Sequence, residues 1–201
     1  MASELAAPPS ADELRFIFAS GRLSLDLCAT VGERWRRGFE RLRSPGDLTR
    51  WYAEAAVATA PVLVTEPGLN QARAVRDAIY RSARAVIDGR QPSASDGEVI
   101  NQAATAPPPV PHLQRGVLTI AAAEPDQAAS ALSAVARDAI TLLTAGDAAR
   151  LRECASQQCG LLFTDTSRPG RRRWCSSSSC GGRARAAAYR QRHAPSRGGR
   201  D

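Results

Sequence analysis

The sequence contains no run of about 18 apolar residues, which excludes a transmembrane helix at this level. Its opening, MASELAAPPSADELRF, carries acids and prolines where a secretory signal needs a basic start and an apolar core. The expectation is a cytoplasmic protein. In that reducing compartment clustered cysteines serve metals or redox chemistry more often than structural disulfides. Lysine is absent too, so all 27 basic residues are arginine, and no mechanism follows from that. No P-loop, GxGxxG, HExxH or serine-elbow motif occurs, and the two histidines, His112 and His193, are isolated. Acids such as Glu33 and Glu40 lie among arginines and read as solvated salt-bridge faces. No catalytic constellation can be assembled, so the chain is not expected to be an enzyme.

Apolar residues make up 43% of the 201, enough to bury a real core. The charge is uneven. Residues 150–201 hold 12 Arg against Glu153, Asp165 and Asp201, a net of +9. The first 149 residues hold 15 Arg against 17 acids, a net of −2, and the two parts together give the +7 of the whole chain. A cationic segment on a near-neutral body points to a polyanion partner, most simply double-stranded DNA.

Periodicity divides the chain. Residues 16–18 and 23–27 are β-prone, and Leu23, Leu25 and Leu27 alternate with Ser24 and Asp26, which predicts a short β-hairpin around Ser20 and Gly21. Ser44, Pro45 and Asp47 form a helix start, with Leu48, Trp51, Tyr52 and Ala55 on one face. After Pro67, Leu69, Ala72, Val75, Ile79, Ala83 and Val86 step by three or four, and Gly89 stands where a C-terminal cap belongs. A weaker helix is predicted near 93–105, one strand over 112–120, and an amphipathic helix over 125–145 with Leu132, Val135, Ala139 and Leu142 inside. There is no internal repeat. The expected fold is therefore α+β. A mostly helical domain over 13–149 is followed, with almost no linker, by a four-cysteine unit over 150–193 and a disordered tail over 194–201.

Cys154, Cys159, Cys175 and Cys180 form C-x4-C-x15-C-x4-C. Two short-range pairs joined by a loop can offer zinc four tetrahedral ligands at little entropic cost. An iron–sulfur cluster also takes four thiolates, and a redox dithiol is the third reading, though that usually appears as a single C-x-x-C beside a βαβ unit. Four cysteines close the coordination shell, so the zinc reading is one structural ion. Metal binding would supply folding free energy of roughly 10–16 kcal/mol. Its removal is expected to unfold 150–193 and leave the first domain folded. Cys28, alone in an apolar run, reads as a buried small hydrophobe, with a redox sensor as the sharper alternative.

Within the unit, the run 160–163 is expected to form a strand backing the metal, and 165–170 a turn. Arg171, Arg172 and Arg173 beside Trp174 suit phosphate contact, with Trp174 either packing on the metal site or stacking on a base. Residues 181–192 read as an Ala- and Arg-rich helix, with Arg183 and Arg190 on one face and Arg185 and Arg192 on the opposite one. These seven arginines are the candidate nucleic-acid contacts. The alternative is that they are simply solvated.

The block C-x4-C-G-x-L-F-x-D-T-S-R…R-R-W-C-x4-C-G-x-R, followed by A-x3-Y-R-x-R, resembles the C-terminal CGNR zinc finger. GRLSLDLCATV and Asp47-Leu48-Thr49-Arg50-Trp51 are similar to the ABATE domain that precedes such fingers. The resemblance implies a bacterial, stress-induced transcription regulator with a treble-clef or ribbon-like finger ending in a helix. It also implies a finger that binds DNA and an N-terminal domain that senses a small-molecule effector or forms a homodimer. A zinc-stabilised protein- or RNA-interaction module is the alternative. Gly182 stands where the signature has Asn, a position that could cap the following helix, and Leu27 and Ala29 replace a Phe and an Asn.

Overall fold

The computed structural model describes residues 8–144 and 146–193; the expected tail at 194–201 lies outside them. Local signals explain most helices. Helix α2 (Pro45–Glu54) starts with a capping box, in which Ser44 Oγ accepts from the Asp47 N–H at 3.3 Å and Asp47 Oδ2 accepts from the Ser44 N–H at 2.9 Å. Thr65 caps α3 (Glu66–Ile87), and Gly89, at φ +69°, follows its end. Ser93 caps α4 (Ala94–Ala103). The apolar stripes of α2 and α3 are buried, including Leu48, Trp51, Leu69, Val75 and Ile79. Helix α5 (Gln127–Thr144) closes the core with Leu132, Val135, Ala139 and Leu142.

Two expectations are corrected. The predicted hairpin at 16–27 is absent; Leu23–Cys28 is a short helix, α1, packed against α3 and α5. The alternating leucines suit a strand, but tertiary partners stabilise the helix. Arg22, at the N-cap, offers no side-chain cap, and the open Ser24 N–H is taken by Asp138 Oδ2 of α5 at 2.8 Å. Ser24 Oγ donates to the same oxygen, and Asp26 accepts from the backbone and hydroxyl of Ser20. Hairpins occur elsewhere. β1 (Val31–Gly32) pairs with β2 (Phe39–Glu40).

The second correction concerns 112–120, which is not one strand. β3 (Val110–Gln114) turns at Arg115 and Gly116 into β4 (Val117–Ala121), with His112 opposite Thr119. Both turn residues have positive φ, +50° and +80°, as a two-residue hairpin turn requires. The apolar residues Leu113, Val117 and Leu118 are exposed, so their hydrophobicity does not report burial.

After a 3-10 turn over Gly146–Arg150, β5 (Leu151–Glu153) pairs antiparallel with β6 (Leu162–Thr164), and the chain ends in α6 (Cys180–Arg192). The architecture is thus a helical N-terminal region with short hairpins, then four cysteines gathered near the last helix. The β5–β6 hairpin is fixed to the preceding core. Leu151 and Leu162 belong to it, the Thr164 N–H donates to the Ser20 carbonyl at 2.8 Å, and Glu153 meets Trp35 and Arg84. No helix among the described residues is long and apolar enough to cross a membrane.

Candidate metal centre

Cys154 and Cys159 sit in the loop between β5 and β6. The Cys154 N–H donates to the Leu161 carbonyl at 2.9 Å, closing that loop. Gly160 makes the closure possible. Its φ is +66°, and a Cβ there would lie 3.1 Å from the Trp35 ring. Cys175 follows the arginine run, which is tied back where the Ala155 N–H donates to the Arg173 carbonyl at 2.8 Å. Cys180 is the first residue of α6. Ala29, Leu161, Phe163 and Trp174 surround the sulfurs.

The four Sγ atoms lie within 4.8 Å of one another, with Cys159–Cys175 and Cys175–Cys180 both at 3.7 Å. A tetrahedron with zinc–sulfur bonds of 2.3 Å has an edge of roughly 3.8 Å. The spacing fits a single tetrathiolate zinc and is far from a disulfide. Thiol chemistry points the same way. Cys154 is held down to about 2, chiefly by the Cys159 and Cys175 thiols that donate to it. Those interactions push Cys159 up to about 12, and Cys175 upward as well. The first thiolate forms readily and the next ones are opposed by its charge. A divalent cation removes that opposition. The centre holds one structural zinc, which fixes the loop, the arginine run and α6 around a single point.

Two of the sequence-predicted arginines serve this centre rather than its surface. Arg183 Nη2 donates to Cys180 Sγ at 3.0 Å, the kind of contact that orients a ligand and offsets thiolate charge. Arg172 Nε donates to the Trp174 carbonyl at 2.8 Å, its Nη2 to the Cys175 carbonyl, and its guanidinium lies 4.8 Å from the Phe163 ring. Arg171, Arg190 and Arg192 are exposed with no partner among the described residues. Arg173 rests 5.2 Å from the Trp174 ring, and Arg185 Nη2 donates to the Ser177 carbonyl at 2.9 Å. Trp174 also packs against Gly181, where an added Cβ would be 3.2 Å from the ring. Arg171 to Ser177 wall a shallow groove of about 740 Å³.

The expected cap at position 182 is revised. Helix α6 begins at Cys180 with Ser179 as N-cap, so Gly182 lies inside the first turn. A Cβ there meets nothing closer than 3.9 Å, so a side chain has room. Cys28 is buried, with its Sγ 3.5 Å from the Arg76 carbonyl and its thiol pushed up to about 12 by burial. His193 stacks on Tyr189 at 4.1 Å, and His112 is exposed on β3. Neither joins the thiol cluster. Sequence reading missed Arg41 of the β2 end, which is buried against the metal side of the domain; one arginine among 27 carries no local signal of burial.

A family model for ABATE, described as "Putative stress-induced transcription regulator", matches residues 21–146. One for the CGNR zinc finger matches residues 150–193. No curated protein matches the chain.

Proposed function

Because the chain belongs to the ABATE family and carries a CGNR zinc finger, we propose that it is a zinc-dependent DNA-binding regulator whose finger meets the phosphate backbone. Charge balance carries this reading. Among the described residues of 150–193 there are ten Arg and two acids. Both acids are occupied. Glu153 is held by Arg84 and Trp35, and Asp165 accepts from Ser167 and the Arg172 N–H. Among the described residues no arginine of this segment forms an ion pair, whereas the N-terminal region pairs Arg22, Arg34, Arg37, Arg76, Arg81 and others with carboxylates. An uncompensated cationic surface next to a groove suits phosphate.

Arg171, Arg173, Arg185, Arg190 and Arg192, joined by Arg168, which is exposed in the turn after β6, are the contacts we assign. Six neutralised phosphates predict a log–log slope of affinity against salt near −5 for duplex DNA. A slope near zero, or no binding at low salt, refutes the reading. Stronger competition by single-stranded RNA than by duplex would favour the interaction-module alternative. The reading assigns the chain no catalysis, since four thiolates leave zinc no open position. It gives the N-terminal domain the regulatory role, as effector site and as homodimer, with the exposed β3–β4 hairpin available to a second copy.

A further inference from the structure

Between the β1–β2 hairpin and the metal centre lies a cavity of about 600 Å³, within the range of small-molecule sites. Its wall is mixed: Phe16, Phe39, Tyr80 and Leu161 give an apolar side, charged Glu13, Glu33 and Arg41 line the rest, and it reaches Cys159 and Cys180. One wall residue is unusual. Arg41 is 6% exposed, and no carboxylate forms an ion pair with it among the described residues. Its Nε donates to the Glu13 carbonyl and its Nη1 to the Ala29 carbonyl, both at 2.8 Å, and its guanidinium lies 4.8 Å from the Phe39 ring. Nη2 has no partner among the described residues.

The neighbouring acids do not supply the missing charge. Glu13 and Glu33 both pair with Arg37, and Glu40, whose charge acts most on Arg41, is held by Arg76 at 2.7 Å. Burial lowers the Arg41 pKa, so the cation is held at a cost that an anion would relieve. Gly32 makes the arrangement possible. A Cβ there would fall 2.3 Å from the Phe39 ring and 2.8 Å from Arg41 Nη1. Tyr80, 8% exposed, adds a buried hydroxyl with no hydrogen-bond partner among the described residues.

We propose that this cavity binds a small organic monocarboxylate with a ring-sized apolar body, the carboxylate on Arg41 and the body among Phe16, Phe39 and Leu161. A monoanion matches the wall, which offers one uncompensated cation. The other two arginines on the wall are engaged, Arg183 with the Cys180 sulfur and Arg15 with Asp12 at 3.6 Å. A single negative charge beside an apolar body also suits a wall that holds Glu13 and Glu33 better than the double charge of phosphate does. Since the wall is shared by the helical domain and the cysteine loop, an occupant bridges the two. Binding itself is independent of DNA recognition; its regulatory consequence rests on the function proposed above.

The test uses the zinc-loaded full chain with 2-naphthoate, its neutral analogue 2-naphthamide, and inorganic phosphate, read by calorimetry and amide chemical shifts. Naphthoate is expected to bind about tenfold or more tighter than the amide, the scale of a charge-assisted contact. Its shifts should centre on Gly32, Phe39 and Gly160, and Arg41→Met should weaken binding by a similar factor. The shift map of the unaltered protein decides the matter if that variant does not fold. No naphthoate binding at millimolar concentration overturns the proposal. So do equal binding of the amide, tighter binding of phosphate at the same residues, or shifts confined to the arginines of α6. DNA affinity is measured separately with and without naphthoate. Cavity binding without any DNA binding would leave the carboxylate site standing and remove the regulator reading.

Discussion

Removing zinc should open the finger unevenly, and the structure says where the boundary falls. Leu151 and Leu162 are each 2% exposed and sit in the core of the helical domain, not around the metal. Burying a leucine contributes about 1.5–3 kcal/mol, so the pair contributes roughly 3–6 kcal/mol of attachment that needs no metal. At about 1.4 kcal/mol per factor of ten, that sustains about 10²- to 10⁴-fold protection of the amides it holds. The Thr164 N–H, bonded to the Ser20 carbonyl at 2.8 Å, and the Asp165 N–H, bonded to the Arg150 carbonyl at 2.9 Å, belong to this part. The Ala155 N–H to the Arg173 carbonyl and the Gly181 N–H to the Ser176 carbonyl belong to the other. Their surroundings are four sulfurs with Ala29, Leu161, Phe163 and Trp174, and thiolates left without a cation repel one another. Hydrogen exchange with and without a chelator reads all four amides in one experiment. Ala155 and Gly181 should lose protection while Thr164 and Asp165 keep at least about 100-fold, the lower bound set by leucine burial. Joint loss at all four would show that residues 150–193 leave as one unit and that the hairpin's attachment is ineffective.

Arg183→Gln removes the charged donor to Cys180 Sγ and should lower zinc affinity by about 10- to 100-fold in a chelator competition, the usual effect of losing a ligand's outer partner. Unchanged zinc affinity with weakened DNA binding would move Arg183 to the nucleic-acid surface. Gly182→Ala should stabilise α6 by about 0.5–1 kcal/mol, because the site is helical and open, whereas Gly181→Ala should not. A Cβ at Gly181 is caught between the Trp174 ring at 3.2 Å and the Ser176 carbonyl at 3.3 Å. Thermal melts of the zinc-loaded variants compare the two, and equal shifts would refute the assigned packing.

Elements governed by local chemistry were legible in the sequence. Ser44 caps the helix that it was expected to start, and the stripes Leu69 to Ala83 and Leu132 to Leu142 are buried as their spacing implies. The zinc centre was legible because four thiols in two pairs have few other uses in a basic segment. What stayed hidden depends on distant partners. The strand-like alternation of Leu23, Leu25 and Leu27 gives way to a helix because Asp138, more than a hundred residues away, satisfies its first turn. The arginine signal was read as one class, yet it divides. Arg172 turns inward to carbonyls, Arg183 donates to a sulfur while staying exposed, Arg41 is buried beside the metal cavity, and those of the N-terminal region largely pair with carboxylates. Composition counts charges but cannot say which of them face inward.

The run 160–163 shows why the finger and the helical domain are coupled. Successive residues of an extended chain point to opposite sides, so Leu162 enters the main core while Leu161 and Phe163 face the sulfurs. A slip of one residue would exchange the two sets and place a large aromatic ring in the leucine slot. The pleat therefore fixes how the metal centre is set against the domain, and Gly160, at positive φ against Trp35, fixes where the strand begins. An element shared in this way cannot shift for one core without disturbing the other. The cavity lined by Arg41 on one side and the cysteine loop on the other is consequently a defined space, and filling it must be felt by both.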